Sequence, residues 1–146
     1  MNRLSAQGLQ FIKSFEGFSA VPYHCPGGYW TIGYGHVIIK TDSFDESITT
    51  AEAQSLLYSD IKQTEKGVQR LVHVSLSQKQ FDALVSLTFN VGAGALQRST
   101  LRRVLNGEEH GLVPQELLKW IWAGGRRHRG LLKRRKLEGD LYRGLL

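Results

Sequence analysis

The feature that most constrains this chain is a change of hydrophobic period at Glu16-Gly17. Before it, Leu4, Leu9, Phe11, Ile12 and Phe15 recur at helical spacing, so residues 3–15 read as a helix with one buried face. From Phe18 to about Lys40 the pattern becomes short alternating runs, interrupted by Pro22, Pro26 and Gly27-Gly28. Tyr29 to Tyr34 is rich in β-formers and reads as a strand of a small antiparallel sheet. Asp42 to Ser47 reads as a polar loop. Only this stretch departs from helical spacing, which predicts an α+β fold with its sheet confined to one end.

The remainder is written in helix signals. Thr49-Thr50-Ala51-Glu52 has the form of a capping box and opens a long helix to about Leu71. Ser77-Gln78-Lys79-Gln80 repeats the signal, and Phe81, Leu84, Val85, Thr88 and Phe89 keep one face of the helix that follows. Ser99 caps a short helix to Leu105, Pro114 suits the first turn of a helix ending at Gly124-Gly125, and a last helix covers about Leu131 to Leu141. The expected organisation is one domain. A β-containing N-terminal lobe covers about 16–50 and a connecting helix about 50–71. A helical C-terminal lobe covers about 72–146 and takes in the N-terminal helix. Two lobes joined in this way leave a cleft, the usual place for a ligand.

Composition adds three constraints. The lone cysteine, Cys25, rules out an internal disulfide. No run approaches the length of a membrane span, and the first residues lack the apolar core of a signal peptide, so export is expected to need outside help. Charge is uneven: residues 119–146 hold nine Lys/Arg and two Asp/Glu, against ten basic and eleven acidic residues elsewhere. A basic C-terminal segment implies an anionic partner.

The chemistry gathers where helix gives way to sheet. Eight residues separate Glu16 from Cys25, and five separate Cys25 from Thr31. A carboxyl group at the mouth of an interlobe cleft loses water, which favours its protonated form and fits it for general-acid work. Alone, one glutamate near a Gly-rich strand is most often a solvated surface group. Its neighbours change that. Glu16-Gly17, Tyr23, Cys25 and Thr31-Ile32-Gly33-Tyr34-Gly35-His36 resemble the signature of the phage lysozymes, the endolysin family that includes T-even phage lysozyme. The resemblance continues through Thr88 to Gly94, Ser99-Thr100-Leu101, Trp122 to Gly125 and Arg134 to Glu138, in the same order over nearly the whole chain.

The resemblance implies a lysozyme-like fold and a bacteriolytic muramidase for host lysis. Such an enzyme hydrolyses the β-1,4 bond between N-acetylmuramic acid and N-acetylglucosamine, without metal or cofactor. Glu16 would protonate the leaving oxygen, and Thr31 would help hold the attacking water or the sugar on the far face. Cys25 departs from the aspartate that many members carry. Two roles stay open for it: a thiolate acting as base or nucleophile, or a neutral thiol shaping the water site. The bland alternative is a small core residue, for which the turn His24-Cys25-Pro26-Gly27-Gly28 is a poor place. His36 is implied to pair with Asp60 as a structural ion pair. Val37 and Phe89 match positions lining the sugar cleft, although both are equally suited to a core. Asn90 is placed to bond an acetamido group, or simply to end its helix. A zinc site from His24, Cys25 and His36 fits no familiar ligand spacing.

The basic C-terminal helix has two readings, a solvated outer face over core leucines or a patch drawn to the anionic envelope. Either Arg134 or Arg135 is placed to reach the cleft near Glu16. Nucleic acid is not expected, since no recognition motif accompanies the charge. A monomer is expected, made in the cytoplasm and released to the wall through a holin-type pore. Two rivals remain: a lytic transglycosylase, which needs one carboxyl group only, and a non-catalytic cationic protein that binds wall or membrane.

Overall fold

The computed structural model describes residues 2–25, 27–39 and 47–146, so most of the polar loop expected at Asp42 to Ser47 lies outside the described residues. Helix α1 (Ala6–Glu16) is fixed at both ends. Ser5 caps it by accepting from the Gly8 amide, and Ser5 also donates its own amide and hydroxyl to Asp82 on α3 (Gln78–Val91). A Cβ at Gly8 would stand 2.7 Å from Asp82 Cγ, so only glycine allows the helices to approach this closely. Gly17, at φ +60°, ends α1 and leaves Glu16 as its last residue.

Three antiparallel strands follow in the order β1-β2-β3: β1 (Ser19–His24), β2 (Trp30–Gly33) and β3 (His36–Val37). Pro22 does not break the chain as the sequence suggested. It lies inside β1, an edge strand, where the register slips between Ser19 and Tyr23 and no ladder amide is required. Tyr23 pairs with Thr31 and Thr31 with Val37, which puts these three on one row of the sheet. On the other face Ile32 joins Ile48 and Ala53 in a small core beneath the start of α2 (Thr50–Leu71).

Both capping boxes form with both arms. Thr49 and Glu52 start α2, and Ser77 and Gln80 start α3. The one-sided apolar pattern of α3 understates its burial, because every residue from Phe81 to Thr88 is buried. The helix runs through the middle of the larger core, and α1, α2, α4 (Ala93–Gln97) and α7 (Arg129–Tyr142) pack around it. Each core leucine there contributes roughly 1.5–3 kcal/mol by leaving water.

Two short helices, α5 (Thr100–Asn106) and α6 (Val113–Leu117), close the far side. Pro114 lies in the first turn of α6, but this helix ends at Leu117 and does not reach Gly124-Gly125. Those glycines, at φ +57° and +78°, instead form the turn between β4 (Trp122–Ala123) and β5 (Arg126–Arg127). A two-residue hairpin with both turn residues at positive φ takes Gly-Gly readily. Among the described residues no helix is long and apolar enough to cross a membrane.

Candidate active site

Glu16 sits where α1, α7 and the β2–β3 turn meet. Its Oε1 accepts from Arg134 Nη1 at 2.6 Å, and its side chain is only 14% exposed. Oε2 lies over Gly35, in the space a side chain there would occupy. A Cβ at Gly35 would overlap that oxygen and stand 3.0 Å from Cδ, and the residue is at φ +80°. Glycine is therefore required twice at this position, for the turn and for the carboxyl group. Among the described residues Oε2 makes no hydrogen bond. One oxygen is thus held and the other is open.

The sheet supplies the facing groups. The Tyr23 phenol is pushed above its ordinary range by burial and then by the nearby negative charges of Glu16 and Cys25, which ties all three to one neighbourhood. Cys25 is half-buried; its amide donates to the Tyr29 carbonyl, and its own carbonyl accepts from Gly28, so a turn fixes it. Thr31 is buried and pairs with Tyr23 across the ladder. It donates Oγ1 to the Tyr29 carbonyl at 3.0 Å, leaving the hydroxyl lone pairs as acceptors. Val37, next on this row, is exposed.

His36 Nδ1 stands 2.8 Å from Asp60 Oδ2, joining β3 to α2. Phe89 is half-buried and packs on the large core. Asn90 Oδ1 accepts from Arg135 Nη2 at 2.9 Å, so its amide group remains the part free to meet a ligand. Among the described residues, no three His, Cys, Asp or Glu side chains converge as they would on a metal ion. Two apolar hollows lie elsewhere, one beside Ile48 and Leu56 and one along α7. Neither includes Glu16.

The basic C-terminal segment divides in two. Arg126, Arg127, Arg129, Lys133 and Lys136 are exposed, whereas Arg134 and Arg135 are buried and so are not part of a solvated face. Arg134 lies with Cζ 5.1 Å from the Phe15 ring centroid as it reaches Glu16. Gly35, Tyr23 and Glu138 fall inside the motifs that carry the resemblance, but the sequence reading gave them no role at the site. Arg134-Arg135-x-x-Glu138 was a usable signal, because carboxylate and guanidiniums three and four residues apart share a helix face.

Fold and site together define a class: an α+β domain presenting a single anchored carboxyl group beside a small sheet. Comparison with known proteins narrows that class. The chain belongs to the phage lysozyme family, whose sequence profile, described as Phage lysozyme, matches residues 13–138. The endolysin of Bacillus phage B103 is 41% identical over 144 residues, 95% of this chain and 53% of that protein. The endolysin of Acyrthosiphon pisum secondary endosymbiont phage 1 is 37% identical over 143 residues, 95% of this chain and 97% of that protein. The chain thus spans about half the length of the Bacillus phage relative and nearly all of the other. Among solved structures, the muramidase domain of SpmX from Asticaccaulis excentricus superposes with a TM-score of 0.85 at 34% identity, covering 97% of this chain and 98% of that one.

Proposed function

We propose that this chain is a peptidoglycan hydrolase, a muramidase that cleaves the β-1,4 bond between N-acetylmuramic acid and N-acetylglucosamine. The observation that carries the reading is the asymmetric hold on Glu16, with Oε1 on Arg134 and Oε2 open above Gly35. Oε2 is the oxygen that bears the proton. It passes that proton to the glycosidic oxygen as the bond to the anomeric carbon breaks, a contribution on the order of 10²–10⁴ in rate. Water then adds to the anomeric carbon and gives up a proton to solvent, from which Glu16 is reprotonated. Thr31 accepts a hydrogen bond from that water, and Cys25 lies beside it on the turn. Val37, Phe89 and the Asn90 amide group line the glycan's path. Relatives named endolysin and muramidase support the same substrate.

The exposed cations along α7 give the protein a second means of reaching the wall. Arg129, Lys133 and Lys136 flank a shallow groove floored by Leu132 and Leu137. Such a face attracts an anionic envelope polymer and raises encounter rates at low salt.

Mass analysis of digested sacculi tests the reaction. Hydrolysis yields reducing muramic ends. A product pool of 1,6-anhydro ends would assign the chain as a lytic transglycosylase, the rival favoured by the absence of a carboxylate at position 25. Intact sacculi would leave only a binding protein.

A further inference from the structure

Behind the Glu16–Arg134 pair lies a second carboxylate that the proposed reaction does not use. The Glu138 side chain has no exposed surface. Its Oε2 accepts from Ser86 Oγ at 2.6 Å, Arg134 Nε at 3.3 Å and Arg135 Nη2 at 3.2 Å. Its Oε1 lies 2.7 Å from Arg135 Nε. Arg134 sends Nη2 to the Ser86 carbonyl at 3.1 Å and Nη1 to Glu16. Arg135 sends Nη2 on to Asn90. One network thus joins α7, the middle of α3 and the end of α1.

Two adjacent guanidiniums buried together need a counterion, since neither sheds its proton at working pH. Burial pulls Arg135 below its ordinary range, and Glu138 pulls it back up. Burial likewise pushes the Glu138 carboxyl up, against the pull of both guanidiniums. The ion-paired form prevails, because a neutral Glu138 would leave two buried guanidiniums side by side without the carboxylate that contacts both.

We infer that Glu138 is a positioning residue for Glu16, acting through Arg134. It grips the guanidinium by its Nε edge so that Nη1 meets Oε1, and its charge offsets those of Arg134 and Arg135. The inference rests on Glu16 being the proton donor. Among the described residues, the other titratable groups on this side are Tyr23 and Cys25 from the sheet and, one turn back on α1, Lys13, whose Nζ stands over the Tyr34 ring. With Glu138 ionised, a protonated Glu16 meets one net positive charge. Without that anion it meets two, which favours releasing its proton. Two carboxylates bridged by one guanidinium lie roughly 7 Å apart, and at an effective dielectric of about 20 their coupling is worth about one to two pH units.

The test compares Glu138→Gln, Arg135→Gln and the double variant. Two readouts are used: the pH profile of kcat/KM on purified sacculi, and the Glu16 carboxyl titration followed by 13C NMR. Glu138→Gln is expected to move the alkaline limb and the titration down by about one to two units, and Arg135→Gln to move both up. The double variant, which removes one charge of each sign, is expected to return both towards wild type. A residue that merely fills space would lower kcat evenly and leave the limb in place. The inference is overturned if neither single variant moves the titration, or if both fail to fold, which would make the pair a stability element only. If the titration moves and the activity limb does not, the electrostatic role stands and the reading of Glu16 as donor fails.

Discussion

Replacing Gly35 by alanine separates backbone strain from an effect on the carboxyl group. At φ +80° an alanine costs about 1–2 kcal/mol in the left-handed region. For a chain of this length that is a fall in Tm of about 2–8 °C. The added Cβ also meets Glu16 directly, because it would overlap Oε2 and stand 3.0 Å from Cδ. The carboxyl group must retreat by on the order of 1 Å to reach ordinary contact. Its other oxygen is tied to Arg134 at 2.6 Å, so the retreat also distorts that bond. A misplacement of ~1 Å at a reacting group costs about 10²-fold in rate. Gly125 is a matched control: it has φ +78°, and a Cβ there would meet nothing within 4 Å. We expect both variants to stay folded, with Gly35→Ala melting somewhat below Gly125→Ala because of the added clash, while only Gly35→Ala loses about 10²-fold in clearing suspensions of purified sacculi. Equal activity in the two variants would refute the placement of Oε2 above Gly35.

Three further outcomes follow from the same geometry. Cys25→Asp is expected to stay active and Cys25→Ala to drop sharply in the same clearing assay; an alanine variant at full rate would remove the thiol from the mechanism. The Tyr142 phenol, buried and bonded to His110 Nδ1 at 2.6 Å, is pushed up to about 12 by burial. The folded state therefore holds this proton more tightly than the unfolded chain does. Burial disfavours the phenolate by about 3 kcal/mol, so stability is unaffected below about pH 10 and falls as pH rises towards 12. Urea melts of Tyr142→Phe should lack that alkaline loss, at a cost of about 1 kcal/mol at neutral pH, and a parallel decline in both proteins would contradict the assignment. Reversing charge at Lys133 and Lys136 should slow lysis several-fold at low ionic strength and have little effect at about 0.5 M salt, whereas a salt-independent loss would point to damage elsewhere.

The sequence disclosed those parts of the fold governed by local chemistry. Both capping boxes, the ends of α2 and α3 and the β-forming run around Thr31 depend on residues within a few positions of one another. Non-local packing was harder to read. Nothing local distinguishes α3, buried all round, from an ordinary amphipathic helix, because burial depends on what surrounds it. Gly124-Gly125 reads equally as a helix stop or a hairpin turn, and the partner strand, only two residues long, has no pattern of its own. At the site, Glu16 stands at the period change, but only the motif that follows it, through Cys25 and Thr31 to His36, sets it apart from a solvated surface group. Arg134 and Arg135 stand out as candidates to reach Glu16, but the basic run alone does not say which of them does so, or that Glu138 neutralises both, because that depends on non-local packing.

The most direct test of the central claim is the rate at which Glu16→Gln releases reducing ends from purified sacculi, measured alongside its Tm. Glutamine keeps the side-chain shape and an oxygen for Arg134 but carries no transferable acid proton. The expected result is a fall of at least about 10²-fold with the fold intact. A folded Glu16→Gln variant that works at the wild-type rate would contradict it.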